Sequence, residues 1–284
     1  MTSFDLIETS APDKIVLRAR RYAGGSKTPV LCIPGLTRNA RDFEDLAPKI
    51  AKTGRDVIAV TLRGRADSDY DADYLNYHPL TYRDDILHVL DTINLEQAIF
   101  LGTSLGGIVT MLVNAIAQAR VSAAVINDVG PELAPEGLSR IGGYVGGDNR
   151  PAATLEEAAA RIKEINEVAF PGMDDAFWIA FAKRTYRKKD DGRWVLDYDP
   201  NIGRALTEVG PAPDLWPAWE SLNGTPTLVV RGEISDLLSP EIIEKMRAVH
   251  PSFEYTEVPN VGHAPMLTEP AAWRAIQKFL QKAA

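Results

Sequence analysis

A serine hydroxyl is a poor nucleophile until a base takes its proton. One serine of this chain stands where that can be arranged, in Gly102-Thr103-Ser104-Leu105-Gly106-Gly107. The apolar run Ala98–Leu101 before it reads as a strand and Ile108–Ala119 after it as a helix, so Ser104 falls on a sharp strand-to-helix turn. Glycines two positions before and after the serine suit such a turn, because side chains there would collide with neighbouring backbone. The N-terminus of the following helix favours developing negative charge. In the plainer reading, Ser104 only caps that helix.

The base must be one of four histidines. His78 precedes a proline in a Tyr- and Asp-rich loop, His88 lies within a helical pattern and His250 ends a helix beside Pro251; surface or capping roles suit all three. His263, in Pro259-Asn-Val-Gly-His-Ala-Pro265, falls in a short loop between the last strand and the last helix, where side chains reach the carboxyl edge of a sheet. A carboxylate must then hold the imidazole and stabilise the imidazolium. Asp236, in the loop after the penultimate strand, is the expected partner; Asp128, after the strand Val121–Ile126, competes with it, its alternative role being to anchor Val129-Gly130-Pro131. Acyl transfer also needs backbone N–H donors for the oxyanion, and those of Leu105 and Leu36 are expected to supply them. Arg38 and Asn39 follow Leu36 and either touch a substrate carbonyl or carboxylate or stabilise their own loop.

Stepping strands must place these groups. Residues 4–8 and 14–22 read as an opening antiparallel hairpin turning near Ala11-Pro12-Asp13. Apolar runs the size of buried strands follow at Val30–Ile33, Val57–Val60, Ala98–Leu101, Val121–Ile126, Thr227–Val230 and Phe253–Val258. Helical patterns alternate with them at 42–52, 82–94, 105–118, 240–248 and 270–282, with Ser239 and Pro240 as N-cap and N1 of the fourth. The order predicts an α/β fold with a mostly parallel central sheet flanked by helices. From Pro131 to Gly210 the alternation stops, leaving Gly, Pro and helical pieces at 154–168 and 174–186. An inserted helical cap over 131–210 is expected, between core segments 1–130 and 211–284.

With 284 residues, 45% hydrophobic and 25% charged, the chain has the make-up of an ordinary globular protein. A net charge of −8 argues against a general nucleic-acid binder, which needs clustered Lys and Arg. The basic run from Lys183 to Lys189 is answered by Asp190-Asp191 and reads as a solvated helix end. The single cysteine, Cys32, rules out an intrachain disulfide and any multi-cysteine metal site, and its apolar run predicts burial. Without a basic leader or a membrane-length apolar stretch, a cytoplasmic protein is expected, not associated with membranes.

Together Ile33-Pro34-Gly35-Leu36, Leu62-Arg-Gly-Arg-Ala-Asp-Ser68, Leu101–Gly107, Arg231-Gly232 with Ser235-Asp236, and Val261-Gly-His-Ala-Pro265 resemble the α/β-hydrolase superfamily, in particular its capped serine hydrolases, over nearly the whole chain. Pro34-Gly35 stands where many relatives have His-Gly, which leaves the backbone donor in place. The resemblance implies esterase, lactonase or carbon–carbon hydrolase chemistry through Ser104, Asp236 and His263, without cofactor or metal, and Arg63-Gly64-Arg65 helping to hold the oxyanion loop. It implies a small-molecule ester or lactone as partner and leaves open a homodimer; a receptor that binds without turnover is the reading from another class. Phe177, Trp178, Phe181, Tyr186, Trp194, Trp216 and Trp219 suit an apolar acyl pocket with Trp178 touching substrate, or equally the packing of a core.

Overall fold

The side chains of a parallel strand covered on both faces are apolar on both, and the central strands here read that way. In the computed structural model, which describes residues 3–208 and 213–283, Leu31, Ile33, Phe100, Ala124, Ile126 and Val229 point into one core while Val30, Cys32, Ile99, Leu101, Val125 and Val230 point into another. The elements run β1 (Asp5–Ser10), β2 (Val16–Ile33), α1 (Ala47–Ala51), β3 (Arg55–Thr61), α2 (Pro79–Thr92), β4 (Ala98–Thr103), α3 (Leu105–Ala117) and β5 (Val121–Asn127). After an intervening segment come α8 (Trp216–Glu220), β8 (Thr227–Gly232), α9 (Pro240–Val249), β9 (Glu254–Val258) and α10 (Pro270–Lys282). Helices α2, α3 and α9 cover the first face, α1 and α10 the second. The expected α/β architecture is what forms, and Ser239 caps α9 through Ile242 N–H as its sequence foretells.

The opening differs from expectation in one respect: the runs at 14–22 and 30–33 belong to one long strand, β2. Its first leg is antiparallel to β1 and to β3, with Arg18 opposite Thr61 and Tyr22 opposite Val57. After register shifts near Ser26 and Lys27, its partners on β3 rise in step, Val30 opposite Val57 and Cys32 opposite Ala59. The chain therefore doubles back, with β3 between the two legs. Gly24 allows the bend, since a Cβ there would lie 2.1 Å from the Arg55 carbonyl oxygen. The end of β2 then runs parallel to β4, β4 to β5, β5 to β8 and β8 to β9. Five adjacent strand ends thus reach one sheet edge, where the loops beginning at Pro34, Ser104, Asp128, Glu233 and Pro259 come together.

Between β5 and β8 lie α4 (Pro135–Tyr144), α5 (Leu155–Asn166), α6 (Asp175–Thr185), the antiparallel pair β6 (Tyr186–Lys188) and β7 (Trp194–Leu196), and α7 (Asn201–Glu208). The expected boundary at 210/211 lies outside the described residues. The segment is not wholly helical. The basic run read as a helix end passes from the last turn of α6 into β6, and Asp190-Asp191-Gly192 makes the hairpin turn, Gly192 at φ 85° donating to the Lys189 carbonyl. Short β-branched-poor strands gave that hairpin no periodic signal. Among the described residues no helix is long and apolar enough to cross a membrane.

Candidate active site

Ser104 occupies the β4–α3 turn at φ 53°, ψ −118°, a backbone conformation that costs a non-glycine residue on the order of 1–3 kcal/mol. Its surroundings hold it there. Ser104 N–H donates to the Asn127 carbonyl (2.9 Å), and the Ser104 carbonyl accepts from Gly107 N–H (2.8 Å). The turn is too tight for side chains on either flank: a Cβ on Gly102 would lie 2.2 Å from the Gly106 carbonyl oxygen, and one on Gly106 2.1 Å from that of Ile33. The sequence pattern thus reflects backbone approach on both sides of the serine.

His263 meets Ser104 directly, with Nε2 2.9 Å from Oγ. Its Nδ1 lies 2.8 Å from Oδ2 of Asp128. An ionised carboxylate only accepts, so Nδ1 carries the proton and the Nε2 lone pair faces the serine hydroxyl. Asp128 is fully buried at φ 55° and is held by two further donors: Gly232 N–H to Oδ1 (2.8 Å) and Ser235 Oγ–H to Oδ2 (2.6 Å). Burial without such donors would be prohibitive for a charge.

The acid at the imidazole is therefore Asp128, and the expectation for Asp236 is corrected. Both follow strands that are neighbours in the sheet, Asn127 opposite Val230, so both reach the same edge. Asp236 is instead gripped by Arg140 of α4, through Nε (2.5 Å) and Nη2 (2.9 Å). Burial works to raise its pKa, but the hydrogen bonds and charge of Arg140, with a smaller contribution from His263, hold it below the usual carboxylate value. The loop expected to carry the acid carries its supports, Gly232 and Ser235. Nothing in the sequence marks Arg140 as the competitor for Asp236.

The loop after β2 lies against the serine: a Cβ on Gly35 would sit 3.7 Å from Ser104 Cβ. Buried Arg65 donates from Nε to the Leu36 carbonyl (2.9 Å) and from Nη1 to Tyr82 Oη (2.8 Å), which ties down the loop just beyond the Leu36 N–H. Arg63 is taken up by Asp85, Asp13 and Asp71, so of the Arg63-Gly64-Arg65 group it is Arg65 that holds the loop. Leu105 is the first residue of α3, and its N–H has no intrahelical acceptor. Leu105 thus follows the serine directly, and Gly35, the residue before Leu36, lies against it.

The expected substrate contacts are used otherwise. Arg38 makes a two-pronged pair with Asp42 (2.7 and 2.5 Å), bonds Thr185 of α6 and lies over the Phe181 ring at 4.2 Å. Trp178 is buried with Phe170, Phe177 and Phe181 and donates to the Met173 carbonyl (3.2 Å). Trp219 packs with His250 and Phe253 beneath the sheet. Packing, the second reading of these aromatics, describes Trp178 and Trp219. His78 caps α2 through Leu80 N–H, and His250 is the buried C-cap of α9. Among the described residues no group of three or more His, Cys, Asp or Glu is arranged to hold a metal ion.

Comparison with known proteins agrees with this layout. The model of a family described as the Alpha/beta hydrolase family matches residues 30–276. The chain is 34% identical over 251 residues to 3-hydroxybutyrate-oligomer hydrolase of Cupriavidus necator, covering 85% of this chain and 84% of that protein. It is 29% identical to 2-(acetamidomethylene)succinate hydrolase of Mesorhizobium japonicum, covering 88% and 86%. The crystal structure of an alpha/beta hydrolase from Novosphingobium aromaticivorans superimposes with a TM-score of 0.92 at 42% identity, over 99% of each chain.

Proposed function

The chain belongs to the alpha/beta hydrolase family, and from its site we propose that it is a serine hydrolase that cleaves a carboxylic ester of small to medium size through an acyl-enzyme. The observation that carries this is the unbroken relay from Ser104 Oγ to His263 Nε2 and from Nδ1 to Asp128. Ser104 attacks the ester carbonyl while His263 takes its proton; Asp128 stabilises the imidazolium, and the N–H groups of Leu36 and Leu105 receive the oxyanion. The imidazolium then protonates the departing alkoxide. Water, deprotonated by the same His263, attacks the acyl carbonyl and frees Ser104.

Two further features fit this reading. The inserted segment, in its described part up to residue 208, is read as a cap that meets the core beside the site, through Arg140 to Asp236, Gly262 N–H to the Ala169 carbonyl (2.7 Å) and Thr185 to Arg38, and also away from it, as in Asp199 N–H to the Gly64 carbonyl (2.8 Å). The resemblance to a 3-hydroxybutyrate-oligomer hydrolase favours a hydroxyacid ester as substrate. The test is hydrolysis of a chain-length series of p-nitrophenyl esters, of short 3-hydroxybutyrate oligomers, of a simple lactone and of 2-(acetamidomethylene)succinate, by wild type and Ser104→Ala. Ester turnover lost in Ser104→Ala supports the proposal and ranks the substrates. A folded wild type that turns over none of the esters refutes it, and turnover of the lactone or the succinate alone moves the assignment to those reactions.

A further inference from the structure

β5 ends on Asn127, immediately before Asp128, and its side chain is fully buried. Its Nδ2 donates to Thr103 Oγ1 (3.1 Å) and to the Pro265 carbonyl (2.8 Å), while its own carbonyl accepts the Ser104 N–H (2.9 Å). Thr103 precedes the nucleophile, and Pro265 follows His263 by two residues. One residue is thus bonded to the segments that carry the nucleophile and the base, and is covalently joined to the acid.

The same carboxamide leaves its Oδ1 buried without a partner. Such an acceptor is a cost to the folded state, because it gives up its hydrogen bond to water without replacing it. The positions preceding it, Ala123, Ala124, Val125 and Ile126, are apolar and buried, so the carboxamide at 127 departs from the pattern of its strand. Retaining an amide with one unmet group is a poor choice for stability but a good one for holding two loops at a fixed separation. The Pro265 carbonyl can only accept, so the NH2 end of the amide must face it, which fixes which way the amide lies.

We propose that Asn127 is a positioning residue of the hydrolytic site, its carboxamide setting the spacing between the Ser104 turn and the His263 loop so that Nε2 stays within reach of Oγ. The proposal rests on the reading of Ser104 as nucleophile. A misplacement of about 1 Å at a reacting pair can lower a rate about 100-fold, whereas substrate binding depends on other groups.

The test measures the rate at which a fluorophosphonate labels Ser104, together with kcat and KM for a p-nitrophenyl ester and the melting temperature. It compares wild type with Ser104→Ala, Asn127→Leu and Thr103→Val, the last removing one of the two Nδ2 acceptors. We expect Asn127→Leu to remain folded, with labelling and kcat both reduced roughly 10- to 100-fold and KM little changed, and Thr103→Val to show a smaller loss of the same kind. Labelling and kcat at the wild-type level in folded Asn127→Leu, or a loss confined to KM, would overturn the proposal. Should Asn127→Leu fail to fold, Thr103→Val decides: reduced labelling at unchanged KM supports the role, and wild-type labelling overturns it. Labelling that persists in Ser104→Ala, or a wild type that is not labelled, instead removes the nucleophile assignment and the proposal with it.

Discussion

Replacing Asp128 by Asn alters a single pair of oxygens yet reverses the logic of the relay. Oδ1 accepts from Gly232 N–H, and Oδ2 accepts from both Ser235 and His263. An amide can satisfy Gly232 only by keeping its oxygen there, which turns its NH2 group toward His263 Nδ1. The imidazole then has to accept at Nδ1 and carry its proton on Nε2, where it points at Ser104 and no longer serves as a base. By analogy with the same substitution in serine proteases, kcat should fall by about 10⁴. This corresponds to about 5.4 kcal/mol of transition-state stabilisation. In Asp236→Asn the relay is untouched, so kcat should stay within about threefold, a loss of under about 0.7 kcal/mol. Both variants are assayed on the best p-nitrophenyl ester, with circular dichroism to verify folding. A large loss in Asp236→Asn with near-normal turnover in Asp128→Asn would refute the assignment of the acid.

Three other outcomes follow from the packing. The Arg140–Asp236 pair joins α4 to the core; because the Asp236 pKa is lowered on folding, its contribution is present above the ordinary aspartate value of about 3.9 and is lost as pH falls through the lower folded value. Asp236→Asn should therefore lower the melting temperature at pH 7, by a few degrees for a pair on the order of 1 kcal/mol, and the difference from wild type should shrink at pH 3; equal differences at both pH values would contradict this. Cys32 is buried in β2 and its thiol pKa is pushed up by burial, so a disulfide reagent at pH 8 should leave it unmodified until denaturant is added; rapid reaction of the native protein would contradict the packing. Gly106→Ala, whose Cβ would enter the Ile33 carbonyl, should destabilise the fold and abolish turnover; a stable, active Gly106→Ala would mean that the β4–α3 turn is looser than described.

Ser104 and His263 were legible in the sequence because local chemistry identifies them: glycines forced by backbone contact around one, and a loop after the last strand for the other. The alternation of apolar runs likewise carried the sheet. The choice between Asp128 and Asp236 was not local. Both follow strands at the same edge, and the decision is made by Arg140, ninety-six residues before Asp236, together with the donors of Gly232 and Ser235. A residue signal did exist in part, since Ser235 sits one position before Asp236, yet no spacing rule says which carboxylate a serine will serve. The hairpin β6–β7 escaped because three-residue strands show no period, and the two legs of β2 looked like separate strands because the bend at Gly24 interrupts the apolar pattern.

The central claim is that Ser104 carries the acyl group between the two halves of the reaction. Wild type mixed with a slowly hydrolysed p-nitrophenyl ester, quenched in acid during turnover and analysed by mass spectrometry, tests it most directly. The account predicts a mass increase equal to one acyl group, located on the peptide containing Ser104 and absent from Ser104→Ala. Turnover with no acylated protein, or with the acyl group on another residue, would contradict it.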